Sequence, residues 1–136
     1  MYSLHDTLSL VAGLFLPLVA FLLFWGMTRT NRLLPEELGA TPLQVSRSQI
    51  TIDYGFSLLP LGRIALYAEF MVVVSITKAY VIRYESIREV QQHVRLFGSS
   101  QIAILRDDEP RSVEFMLRDG DQLMRLLPKN TLVTHF

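Results

Sequence analysis

Three histidines, His5, His93 and His135, and three consecutive acids, Asp107, Asp108 and Glu109, are the side chains best suited to metal or proton chemistry. A zinc site gathers its ligands from close pairs on one helix face or one hairpin, two to five residues apart. These histidines stand far apart in the chain, none has such a partner, and there is no cysteine to supply a thiolate. A calcium loop spaces its oxygens at alternate positions around a glycine. The acidic run lacks that spacing and, closed by Pro110, reads as a solvated hairpin turn. There is no phosphate-cradling glycine loop and no nucleophile elbow. The expectation is therefore no catalytic residue, no metal, no cofactor, no small-molecule substrate, and a protein that is not an enzyme.

Charge narrows the partners. Formal net charge is zero, and past residue 27 thirteen basic residues face twelve acidic ones, which excludes the basic excess of a nucleic-acid binder. Half of the residues are hydrophobic and mean hydropathy is +0.30, an excess that needs a location. It lies in LSLVAGLFLPLVAFLLFWGM, residues 8–27, without a single charge. At 1.5 Å per residue this helix is about 30 Å long, the thickness of a bilayer core. The preceding MYSLHDT has no basic residue and the flank FWGMTRTNR has no small-x-small cleavage site, so it reads as a transmembrane helix and not as a cleaved signal. Arg29 and Arg32 follow it directly, which puts the C-terminal part in the cytoplasm and the N-terminus outside. Tyr2 and Trp25, near the two ends, are expected as interfacial anchors together with Arg29 and Arg32. Ser9, Gly13 and Ala20 fall near one face and form a small-residue stripe for close packing with another helix.

Residues 28–43 form a juxtamembrane linker in which Pro35, Glu36 and Glu37 suit the first turn of a short helix ended by Gly39. From residue 44 the period changes. Ile50, Ile52, Tyr54, Phe56 and Leu58 alternate with polar residues and glycine, the signature of a half-buried strand. RIALYAEFMVVVSIT is one strand, or two with a bend near Glu69; at that length and with Glu69 inside it, it is not a second span. Thr77-Lys78 is a turn. SIREVQQHVRLF reads as a strand with neither face cleanly apolar, FGSS as a turn, and QIAIL and SVEFML as strands joined by RDDEPR. Asp119 caps a final helix through the N–H of Gln122, which completes a capping box, and Leu123, Met124, Leu126 and Leu127 give that helix its apolar side. Residues 129–136 are read as a tail.

VIRYESIREV, residues 81–90, fits either a surface helix or strand, turn and strand. A lone helix there would leave the flanking strands without a sheet to join, which favours the second reading. Tyr84, the Glu85-Ser86 bend, Ile87 and Val90, followed by SSQIAILRDDEPRSVEFMLRDGDQLMRLL with its closing Leu126-Leu127, resemble the bacterial pleckstrin-homology-like (PH-like) domains. The resemblance covers about two thirds of the chain. It implies an α+β chain: an N-terminal transmembrane helix, then a small, mostly antiparallel β-roll or barrel over residues 44–128, capped by the C-terminal helix 119–128. Any other small β-rich roll ending in a helix is the alternative. Lipid-binding members carry several basic residues on the first strands, because phosphates take several charge-assisted donors. The matching region here has only Arg47 and Arg63, expected as weak head-group contacts. The resemblance implies a non-enzymatic, membrane-anchored interaction module, an accessory subunit or assembly factor of a protein complex in the bacterial inner membrane. Its partners are then that complex and the lipid bilayer, with lipid head-group binding as the alternative function.

Overall fold

A computed structural model describes residues 3–55, 60–95 and 99–135. The chain is α+β: one long apolar helix, two β-sheets facing a common core, and a short helix near the C-terminus. Helix α1 spans Leu4–Thr30, about 40 Å at the usual rise, and reaches beyond residues 8–27 at both ends. Ser3 starts it as a reciprocal cap: its Oγ accepts the Asp6 N–H at 3.2 Å, and the Asp6 carboxylate accepts the Ser3 N–H at 3.4 Å. The most apolar eighteen residues of α1 have a mean hydropathy of 2.4, and none of them is buried by the rest of the protein.

The first sheet has the order β1 (Gln44–Ser48), β3 (Gly62–Leu66), β4 (Phe70–Val74), β5 (Ala79–Arg83), and the second the order β2 (Thr51–Ile52), β8 (Ser112–Leu117), β7 (Ser100–Arg106), β6 (Ile87–Val94), β9 (Leu132–His135). β1 (Gln44–Ser48) and β2 (Thr51–Ile52) are one run of chain that crosses from the first sheet to the second through residues 49–50. The alternation expected through Leu58 therefore stops at Ile52. Asp53 and Tyr54 turn the chain with φ of 51° and 61°. The cause is the Asp53 carboxylate, which accepts the N–H groups of Arg111 (2.8 Å) and Ser112 (3.1 Å) and holds the turn against the start of β8. Phe56 and Leu58 lie outside the described residues.

The long apolar run resolves as two strands, β3 (Gly62–Leu66) and β4 (Phe70–Val74), with the bend at Ala68-Glu69. Both strands are buried on both faces, so their sequence, Arg63 apart, is apolar and does not alternate. One face joins the main core of Ile64, Leu66, Met71, Val73, Ile82 and the second sheet; the other packs Ala65, Tyr67, Val72 and Val74 beneath Leu34 of the linker.

β5 (Ala79–Arg83), a single 3-10 turn at Tyr84–Ser86 and β6 (Ile87–Val94) give strand, turn and strand across VIRYESIREV. The mixed faces of β6 have a local cause. Its register against β7 (Ser100–Arg106) shifts between Ile87 and Glu89, so one extra residue reverses the parity. Ile87 and Val90 are both buried although they stand three positions apart, a step that would put them on opposite faces of a regular strand. β8 (Ser112–Leu117) completes the antiparallel part, and helix α2 (Gly120–Leu126) sets Leu123 in the core.

Asp119 caps α2 by accepting the Gln122 N–H at 3.4 Å, but Gln122 does not close a capping box. Gln44 of β1 takes that place: its side chain accepts the Asp119 N–H at 3.3 Å and donates to Gln122 Oε1 at 2.7 Å. Residues read as a tail contain a ninth strand, β9 (Leu132–His135), parallel to β6.

Candidate functional site: the junction of helix and sheet

A lone arginine in a strand buried on both faces needs a counter-ion, because an unpaired charge in that setting costs several kcal/mol. Arg63, in β3, is 5% exposed. Its counter-ion is Glu37, 2% exposed, delivered by the 3-10 turn Pro35–Glu37 of the linker. The two guanidinium Nη atoms donate to the two carboxylate oxygens at 2.7 and 2.9 Å. Tyr67 Oη donates to Glu37 Oε1 at 2.9 Å and the Leu34 N–H to Oε2 at 2.7 Å. Each carboxylate oxygen thus accepts two hydrogen bonds, and the group has no lone pair left to serve as a base for a substrate.

The remaining donors of Arg63 turn to the end of α1. Nε donates to the Thr30 carbonyl at 2.8 Å and one Nη to the Arg32 carbonyl at 2.7 Å. Arg47 faces Arg63 across the β1–β3 ladder and donates to Thr30 Oγ1 (2.8 Å), the Leu61 carbonyl (2.9 Å) and the Asn31 side chain. Two cations from neighbouring strands therefore stand at the negative end of the helix dipole, and Arg63 satisfies the Thr30 carbonyl that the helix leaves free. One turn earlier, Gly26 lies so close to the sheet that a Cβ there would be 2.8 Å from Leu61 Cδ1 and 3.7 Å from Ile76 Cδ1. Tyr84 Oη donates to the Tyr67 carbonyl at 2.6 Å and ties the junction to the turn before β6. Every buried side-chain nitrogen and oxygen among the described residues has a hydrogen-bond partner.

Burial alone would raise the Glu37 carboxyl, but hydrogen bonds from Arg63, the Leu34 N–H and Tyr67 outweigh it and hold the group below its ordinary 4.5. The Glu37 hydrogen bond raises the Arg63 guanidinium against the opposing effect of burial. Burial and the adjacent Glu37 push Tyr67 up to about 12, and burial pushes Tyr84 up as well. The linkage signs follow. A lowered carboxyl stabilises the fold above pH 4.5 and loses that contribution as pH falls through its folded value; a raised phenol stabilises below pH 10 and loses it between pH 10 and about 12. Thermal unfolding of the full chain in detergent is expected to show both losses. Tyr67→Phe should remove the Tyr67 share of the alkaline loss, leave the Tyr84 share, and reduce the acid loss in part because Glu37 keeps its bonds from Arg63 and the Leu34 N–H; an unchanged alkaline limb would refute the assignment.

Of the residues singled out in the sequence, Arg47 and Arg63 come together here, and their partners are internal. Arg63 is enclosed, with its donors spent on Glu37 and two carbonyls, which corrects the expectation of a head-group contact at that residue. Arg47 keeps an exposed surface beside its bonds to Thr30 and Asn31. Trp25, Arg29 and Arg32 lie on the solvent side of the same helix end, around a shallow depression of about 230 Å³, with the Arg29 guanidinium 5.2 Å from the Trp25 ring centroid. Ser9, Gly13 and Ala20 are exposed along α1, away from the junction, and a Cβ on Gly13 would touch nothing within 4 Å. Tyr2 lies outside the described residues. Among the described residues no three His, Asp or Glu side chains converge as a metal site. Thr30, Glu37, Tyr67 and Gly26 were not anticipated. The available signal was Arg63 itself, the single cation in the run 61–67.

No protein-family profile matches the chain, and no curated protein matches it. Among solved structures it is similar to a chain of the Spt16D Pob3N heterodimer, with a TM-score of 0.41 and 13% identity over 70% of this chain; it spans 56% of that chain's length. It is also similar to the hSac2 domain of the human phosphoinositide phosphatase Sac2, with a TM-score of 0.46 and 10% identity over 100% of this chain and 92% of that one.

Proposed function

We propose that this chain is a single-pass membrane protein that presents a PH-like interaction domain at the cytoplasmic face of a bacterial inner membrane. It serves there, without catalysis, as an accessory subunit or assembly factor of a larger membrane complex. The observation that carries the proposal is the combination of an apolar helix left bare along its length with a buried polar junction at its end. A bare helix of this hydropathy needs lipid or another helix around it. The junction makes the sheet domain an extension of that helix, held near the bilayer. Confinement to the membrane plane raises the local concentration of any neighbour, so a weak surface contact is enough for association. Arg29 and Arg32 at the helix end favour the cytoplasmic side for the domain.

A second reading, lipid head-group binding, draws on the depression between Trp25, Arg29 and Arg32, where anionic head groups would meet two guanidinium groups. Purification of the tagged full-length protein in mild detergent, with quantification of what comes with it, separates the two. The expected result is a membrane-protein partner at fixed stoichiometry that is lost in the double variant Gly13→Leu, Ala20→Leu. Open space around Gly13 means that the loss would come from the contact and not from damage to this chain. Recovery of the protein alone with anionic lipid would overturn the subunit reading in favour of the lipid one.

A further inference from the structure

Strand β9 differs from every other strand in how it is held. It makes the one parallel pairing among the described residues, Glu89 to Leu132 through Gln92 to His135, and parallel pairs are slightly weaker per residue than antiparallel ones. None of its four residues belongs to either hydrophobic cluster. Leu132 is 60% exposed, His135 is exposed, and only Val133 and Thr134 are half-buried. One side-chain bond supports the ladder, from Thr134 Oγ1 to Glu89 Oε1 at 3.1 Å. β6, by contrast, is eight residues long, paired with β7 over its length, and fixed in the core by Ile87, Val90 and the buried Gln92. Removing β9 would take no residue from either core cluster and would leave on β6 a row of unpaired backbone groups, the kind of edge that captures another strand.

We infer that the β6 edge is a docking site for an extended segment of another protein, and that β9 is its resident, exchangeable occupant. The inference rests on the reading of the chain as an interaction module and gives that module its binding edge. The occupant it fits is specified by what β9 supplies: an extended backbone running parallel to β6, a β-branched apolar residue in the place of Val133, and a hydroxyl or amide donor in the place of Thr134 to meet Glu89. Attachment to the same chain gives β9 an effective concentration in the millimolar range, so an incoming segment must either bind more tightly or find β9 already detached.

The test uses the full-length protein in detergent, a variant ending at Lys129, the variant Val133→Pro, and a labelled peptide of residues 129–135 as the probe. Binding is read by fluorescence anisotropy and folding by thermal unfolding. The truncated chain and Val133→Pro are expected to keep a cooperative transition and to bind the peptide at least tenfold more tightly than the intact chain. Equal binding to all three, or binding to none of them while they remain folded, overturns the inference. Loss of folding in both variants overturns it too, since a strand the domain cannot lose is not exchangeable. A concentration-dependent dimer of the intact chain that disappears on truncation would make a second copy's β9 the occupant and exclude the partner segment. None of these outcomes depends on which complex co-purifies, so failure here leaves the membrane-subunit reading to its own test.

Discussion

Glu37→Ala is expected to lower the unfolding free energy of the full-length protein by about 3–5 kcal/mol, the usual cost of removing one member of a buried ion pair. The substitution leaves the Arg63 guanidinium enclosed at 5% exposure without its counter-charge. It also takes the acceptor from Tyr67 Oη and from the Leu34 N–H, so with the two Arg63 Nη atoms four donors lose their partner in one step. The double variant Glu37→Leu, Arg63→Met should recover only part of the loss. An apolar pair can replace a buried ion pair at little cost, but the Thr30 and Arg32 carbonyls would still lack the donors that Arg63 gave them. Denaturant unfolding of the three proteins in one detergent decides the matter; a single-variant loss below about 1 kcal/mol would mean that water reaches the pair and that the junction is not dry.

The second large effect concerns Gly26. Gly26→Leu places a side chain where even a Cβ would approach Leu61 Cδ1 to 2.8 Å, and overpacking of this kind costs about 1–3 kcal/mol. The end of the Leu61 side chain can shift for one methyl group, so Gly26→Ala should be mild. Leucine must push α1 off the sheet and stretch the bonds of Arg47 and Arg63 to Thr30. The expected readout is faster hydrogen exchange through the segment 26–37, with strands β6 to β8 unchanged. Exchange that rises evenly through the whole domain would instead make Gly26 part of the global fold rather than a local contact.

The parts of this architecture governed by local pattern can be read from the sequence. Twenty uncharged residues announce α1, and the Glu85-Ser86 bend within VIRYESIREV announces the break between β5 and β6. Asp119 marks the start of α2 because its cap is made within one turn. What escapes is set by partners far away in the chain. Glu37 looks like an ordinary first-turn acid, and only the folded sheet brings it to Arg63, 26 residues later. Asp53 looks like the polar side of a strand, and its turn depends on amides 58 and 59 residues downstream. The bulge near Arg88 hides the parity of β6 from any period-two count. β9 has no core-facing residue, so its four positions carry no hydrophobic pattern to recognise. The candidate site is legible in part: Arg47 and Arg63 stand out as the basic residues of the first strands, but that Arg63 turns inward to Glu37 and the helix end follows from the packing.

The paired arginines at the end of α1 also have a mechanical meaning. The apolar stretch of α1, residues 8–27, is about 30 Å long and matches a bilayer core of that thickness, so a thinner bilayer would be met by tilting. A flexible linker would absorb that tilt, whereas a helix end held by Arg47, Arg63 and the contact at Gly26 transmits it. In the membrane proposed above, α1 and the sheet domain would then turn together as one lever. There a thinner bilayer would tip α1 and move the β6 edge relative to the lipid surface, which would couple bilayer thickness to what the domain can reach.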